Sequence, residues 1–161
     1  MPDKFFVEAA KVAPLATAFI ALVAAIIALV ALFIQRDTAR RRAAIDFFLK
    51  TEMDEKIIDT YNDFLDLVPQ IPAIISRPTL SRRDEEYKKL RTWLNICELI
   101  AVGINLGAFS ERVSYDYWGY VLPDSFRGAR LFILHIRRTP GLGAAATYAD
   151  LEKLCRKWGH E

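Results

Sequence analysis

The chain has 161 residues, a length that suits one domain rather than two. Its formal net charge of +2 argues no bulk attraction to nucleic acid or to acidic substrates. Two distant cysteines, Cys97 and Cys155, speak against a disulfide framework and suit a reducing compartment. Two histidines are too few for a histidine-rich metal site, and Cys155 with His160 has no second pair to complete a zinc set. No metal and no cofactor is expected.

The apolar residues are unevenly spread. No charged residue occurs from Val12 to Gln35, whereas Lys4, Glu8 and Lys11 precede the stretch and Arg36, Asp37, Arg40, Arg41 and Arg42 follow it. A bilayer needs roughly 20 apolar helical residues, and this run is longer. A secretory signal would be shorter and would end at a small-x-small cleavage site rather than in arginines. A soluble core helix would carry a polar face, and here Thr17 is the one polar residue before Gln35. The run therefore reads as a transmembrane helix over residues 12–35. The arginines that follow it place the bulk of the chain in the cytoplasm, with residues 1–11 as a short extracytoplasmic N-terminus. They also suit contact with anionic lipid headgroups.

At 100° per residue, Ala13, Thr17, Ala21, Ala24, Ala25, Ala28 and Ala31 fall on about one third of the helix surface. Lipid gives apolar residues no reason to sort by size, so this small face predicts close packing against another copy of the span. A homo-oligomer is expected, with a tetramer as one option.

Residues 36–68 read as a juxtamembrane amphipathic helix continuing the span. Its stripe is Ile45, Leu49, Met53, Ile57, Tyr61, Phe64 and Val68. Pro69, Pro72 and Pro78 mark residues 69–81 as a linker. Residues 82–161 form a helical cytoplasmic domain. Ser81 with Asp84 caps a helix that is apolar nearly all round and stops at Gly107. Ser110 opens the next helix, which Pro123 interrupts. Phe126 to Arg138 makes another, and Thr147 caps a last one. The fold class is all-α, with four to five helices in this domain.

Leu131–Ile136 followed by Gly141-x-Gly143 imitates a dinucleotide-binding turn, but Pro140 sits inside it and no second strand is visible. No phosphate loop and no catalytic signature occurs, so no catalytic residue is expected and the protein is not read as an enzyme. Arg91, Asn95 and Glu98 form a narrow polar strip on the apolar helix, read as structural, with Glu98 held by an arginine of a neighbouring helix. The aromatic group Tyr115, Tyr117, Trp118 and Tyr120 is read as core. Arg127, Arg130, Arg137 and Arg138 put four guanidinium groups on one segment. On a monomer they suit an ordinary solvated face. Repeated around an oligomer axis, they become an anion site able to grip phosphates.

Leu94-Asn95-Ile96-Cys97-Glu98-Leu99-Ile100-Ala101-Val102-Gly103, then Gly107-Ala108-Phe109 and Tyr117-Trp118, resemble a family of small bacterial proteins with one N-terminal span and a helical cytoplasmic domain of unknown function. The architecture is also similar to the membrane effector of the Hailong anti-phage defence system. That resemblance implies an oligomeric channel or pore of the bacterial inner membrane. It also implies gating by a single-stranded DNA oligomer, or another oligonucleotide, made by a partner nucleotidyltransferase. Taken with the residues, the expected function is a homo-oligomeric membrane effector sensing a phosphate-bearing ligand. The other reading is a passive single-span adaptor whose helical domain docks a partner protein.

Overall fold

The computed structural model describes residues 3–159, with side chains from Ala16 onward. All regular structure among these residues is helical, and the chain divides into two compact units, Met1–Ala39 and Arg40–Glu161. Helix α1, Asp3–Met53, starts in the first unit and ends in the second.

In the first unit, every side chain from Ala16 to Ala39 is exposed. This is one helix long and apolar enough to cross a membrane, and none of its most apolar window is buried in protein. Ala13 lies outside the described side chains, as do residues 1–11. Thr17, Ala21, Ala24, Ala28 and Ala31 all lie at the helix surface.

The second unit is a helical domain built around α4, Glu85–Asn105. Eight of its side chains are buried, including Leu90, Trp93, Leu94, Cys97 and Ile100, so the nearly all-apolar helix is central. Around it lie α2 (Glu55–Leu67), α6 (Val121–Gly128) and α8 (Ala149–Lys157), while α3 (Ile71–Ile75) packs on α7 (Arg130–Arg138). Helix α5, Glu111–Trp118, adds Ser114 and Trp118 to the interior. The helix ends at Asn105 as the sequence indicates, because Gly107 takes φ +68°, which side chains resist.

Three boundaries differ from the sequence reading. The first concerns residues 36–68, which are not one helix. Asp54 adopts an extended backbone, and its carboxylate accepts from the Lys56 N–H, ending α1 and capping α2. A short acid that bonds its own backbone competes with helix continuation even without glycine or proline.

The second concerns the stripe. Its later part, Ile57, Tyr61, Phe64 and Val68, packs on the core as expected, but Ile45, Leu49 and Met53 are exposed, and Ala44, Phe48 and Thr51 face the core instead. The true inward face is one third of a turn away, because small Ala44 permits close approach and a threonine can bury when its hydroxyl donates to a carbonyl, here Phe48 O at 2.8 Å. The domain thus begins at Arg40, not at residue 82.

The third concerns the prolines. Residues 69–81 are not wholly a linker: Pro69 and Pro72 sit in the first turns of a 3-10 turn, Val68–Gln70, and of α3. Pro123 likewise lies in the first turn of α6 rather than breaking a helix. A missing N–H costs nothing at a helix start. The expected segment Phe126–Arg138 is divided at Ala129 between α6 and α7.

Candidate anion-binding cleft

The four arginines Arg127, Arg130, Arg137 and Arg138 do not act as one patch. Arg127 pairs with Asp124 at 3.0 Å. Arg137 is only 17% exposed; its Nε donates to Thr147 O at 2.9 Å and its Nη2 meets Glu152 at 2.8 Å. It clamps the loop before α8, which corrects its reading as a surface anion contact. Arg130 and Arg138 are exposed. Charge spacing on a helix reveals a shared side but not which carboxylate a neighbouring element brings.

The polar strip meets a different partner from the one expected. Glu98 accepts from the backbone N–H of Asp150 at 3.2 Å and of Leu151 at 2.8 Å, so it caps the start of α8 from outside, with no arginine bonded to it. A carboxylate there satisfies donors that the helix cannot and meets the positive end of its dipole. Tyr148, the residue before α8, holds φ +64°, and its hydroxyl donates to Asn95 Oδ1 at 3.1 Å. Thr147 is not the cap; its hydroxyl oxygen accepts from Ala144 N–H at 2.9 Å, inside the loop. Arg91, Asn95 and Glu98 together hold one junction, Tyr148 and the first turn of α8.

Burial pushes the Glu98 carboxyl above its ordinary value, against the downward pull of the Leu151 and Asp150 N–H groups. The folded state then holds a proton that the unfolded chain has released. The stability from this group is present below the ordinary carboxylate value and is lost as pH rises through the raised one. With Glu98→Gln as reference, the wild-type-minus-variant difference in melting temperature should fall as pH rises from about 4.5. A difference that grows with pH would mean the two hydrogen bonds outweigh desolvation.

Beside this junction the domain is concave. A cleft of about 470 Å³ runs between the start of α4 and the loop before α8, with Arg82, Lys88, Arg91 and Thr92 on one wall and Gly143 and Thr147 on the other. Lys88, Arg91 and Thr92 share a side because they lie three and four residues apart on α4. Ser81 and Asp84 shape the turn ahead of them: Asp84 accepts from the Ser81 N–H at 3.0 Å, and the Ser81 hydroxyl oxygen accepts from Arg83 N–H at 3.2 Å. The pair closes a turn ahead of the helix but does not cap it: α4 starts at Glu85 with Asp84 as its N-cap and no side-chain bond to its first N–H groups. The loop is fixed from below, where Tyr87 donates to Leu142 O at 2.5 Å.

Arg91 is the unusual member. Its guanidinium stands 5.9 Å from the Tyr87 ring centre and 5.2 Å from that of Tyr148, and its Nη1 reaches the Tyr87 hydroxyl at 3.5 Å. No carboxylate pairs with it among the described residues. Two aromatic faces hold the fork in place while leaving its donors for an anion. Burial pushes the Tyr148 phenol up, with Arg91 pulling the other way, so Tyr148 stays a neutral donor to Asn95. Lys88 is partly neutralised by Glu85 at 2.6 Å, and Arg82 is exposed. The sequence does carry a hint of this site, five cations between Arg82 and Arg91. Asp84, Glu85 and Glu86 are interspersed, and the opposite wall is some 50 residues away in sequence.

Other chemistry is sparse. Among the described residues no cluster of His, Cys, Asp and Glu is placed to hold a metal, and His160 lies outside them. Cys97 and Cys155 are buried, and burial pushes both thiols up, Cys155 to about 12, away from the reactive thiolate. Of the aromatic group only Trp118 is core; Tyr115, Tyr117 and Tyr120 are exposed. Tyr117 stacks on Phe48 at 5.1 Å, and Tyr115 meets Trp158 edge-on.

Comparison with known proteins gives one family, a domain of unknown function (DUF4760), whose model matches residues 18–158. No curated protein and no solved structure matches the chain.

Proposed function

The chain belongs to the DUF4760 family, and on that premise we propose that it is a homo-oligomeric membrane effector gated by a phosphate-bearing ligand. Helix α1 anchors it with one pass through a bacterial inner membrane, the N-terminus outside and the helical domain in the cytoplasm. Arg36 and Arg42 next to the span support that orientation. The alanine faces of the spans pack together, and the assembly forms a channel or pore. The ligand is a nucleotide or an oligonucleotide, such as a single-stranded DNA oligomer supplied by a partner nucleotidyltransferase, and the setting is anti-phage defence.

One observation carries the ligand reading: the cleft of Arg82, Lys88 and Arg91, in which a half-buried guanidinium has aromatic partners and, among the described residues, no acid. Phosphate oxygens complete such a fork. The full chain in detergent, titrated with short single-stranded DNA over a salt series, should bind with an affinity that falls steeply as salt rises. Arg82→Glu lies at the exposed rim and should weaken binding by about tenfold or more without lowering the melting temperature. Arg130→Glu with Arg138→Glu, outside the cleft, should leave affinity unchanged. If the double variant loses binding and Arg82→Glu does not, the ligand sits on α7. If nothing binds at low salt, the sensing role fails.

A specific feature favours the second reading, a passive adaptor. Ile45, Leu49 and Tyr117 remain exposed around an apolar groove between α1 and α5, lined also by Phe48 and Val113. A partner helix would cover it. Intact oligomers with no nucleotide binding would favour this role.

A further inference from the structure

The walls of the basic cleft show which part of a phosphate-bearing ligand they can hold. Its volume, about 470 Å³, lies in the range of small-ligand pockets, which usually grip a guest through apolar and aromatic walls. This cleft offers little of either. Tyr87 is the one aromatic residue lining it among the described residues, and it is only 4% exposed. The Arg91 guanidinium lies over its ring, and Phe132 packs against it with ring centres 5.6 Å apart. A ring so covered has no face on which a base could stack.

The opposite wall is backbone and small side chains. Glycine is needed at position 143, where a Cβ would stand 3.0 Å from Ile136 O and 3.2 Å from Thr147 Oγ1. Leu142 is buried, and its carbonyl already accepts from Tyr87. Such a wall buries no ring. Nor does the cleft carry the amides and carboxylates that read most base edges: among the described residues no Asn, Gln, Asp or Glu lines it. The Thr92 hydroxyl donates to Lys88 O at 2.8 Å, and that of Thr147 accepts from Ala144 N–H. What remains is cationic, from Arg82 at the exposed rim to the half-buried Arg91. Arginine can also read guanine, but its bonds to a charged phosphate are about twice as strong as those between neutral groups.

Resting on the phosphate reading above, we infer that the cleft recognises a run of phosphates and leaves the bases outside. Its ligand class is then a polyphosphate or an oligonucleotide backbone read without regard to sequence. Contacts to phosphate fix register and carry no sequence information. One phosphate leaves most of the cleft empty, whereas a chain of them meets Arg82, Lys88 and Arg91 together. Free inorganic polyphosphate fills such a site as well as a nucleic acid does.

The test is competition on the full chain in detergent at low salt. Dye-labelled dT and dA oligomers of equal length should bind within about threefold of each other, since neither base is touched. Inorganic tripolyphosphate should displace both. Orthophosphate should bind about tenfold more weakly or worse, and the nucleoside deoxyadenosine should displace neither oligomer. Arg82→Glu, at the exposed rim, should weaken both oligomers and tripolyphosphate by about tenfold or more, with the melting temperature unchanged. Binding of neither oligomer would remove the phosphate reading and this narrower one with it. A base preference of about tenfold, or displacement by deoxyadenosine, would overturn the narrower reading alone and put a base pocket in its place. Tripolyphosphate that fails to displace the DNA would overturn it as well. So would an Arg82→Glu variant that loses the DNA and keeps tripolyphosphate.

Discussion

Replacing Trp93 with alanine should destabilise the helical domain by about 3–5 kcal/mol, the usual cost of removing a large buried aromatic. Trp93 is 1% exposed and sits among Tyr61, Phe64 and Trp118, with ring centres 4.6 to 6.2 Å away. Its indole is also the partner of Ser125, itself only 3% exposed, so the substitution strands a buried hydroxyl as well as leaving a void. Domains are stable by only about 5–15 kcal/mol, so much of the margin would go. Trp93→Phe should lose less, because it refills most of the volume and forfeits mainly the hydrogen bond. Urea unfolding of the full chain in mild detergent, read by near-ultraviolet circular dichroism, measures both. A loss below about 1 kcal/mol for alanine would mean that the α2–α4–α6 interior is not packed as described.

Ala21→Ile with Ala28→Ile should weaken the proposed oligomer. Both residues lie on the small face of the apolar helix and both are exposed within the chain. Close approach of two helices depends on small side chains, and a pair of isoleucines keeps the helix apolar while forcing the backbones apart. Overpacking costs about 1–3 kcal/mol per contact, so association should weaken by about tenfold or more. Leu22→Ile with Leu29→Ile, on the other side, should leave it unchanged. Cross-linking in native membranes reads both. Equal cross-linking of the Ala21/Ala28 variant and the wild type would remove this face as the contact.

What the sequence conveys depends on how local the cause is. The uncharged run from Val12 to Gln35 is visible because length and apolar composition are properties of one segment. Gly107 is visible because a left-handed helix end has a side-chain requirement of its own. The break at Asp54 is local too, but its signal is a single acid that a surface helix tolerates equally well. Glu98 shows the limit. Its place on an apolar helix marks it as needing a partner, yet the partner is a pair of backbone N–H groups 52 and 53 residues later, and backbone leaves no trace in side-chain spacing. Arg137 departs from its expected role for the same reason, since Glu152 and Thr147 occupy it, whereas Arg91 keeps a structural contact with two tyrosine rings that its spacing could not name.

The proposed gated membrane effector is tested most directly by ion flux through the reconstituted full chain. Liposomes loaded with potassium and containing the purified protein should leak, and short single-stranded DNA added on the domain's side should change the leak rate. Arg82→Glu should blunt the change without altering the leak seen in the absence of DNA. Liposomes that stay sealed with and without DNA, while cross-linked oligomers are present, would contradict the effector reading.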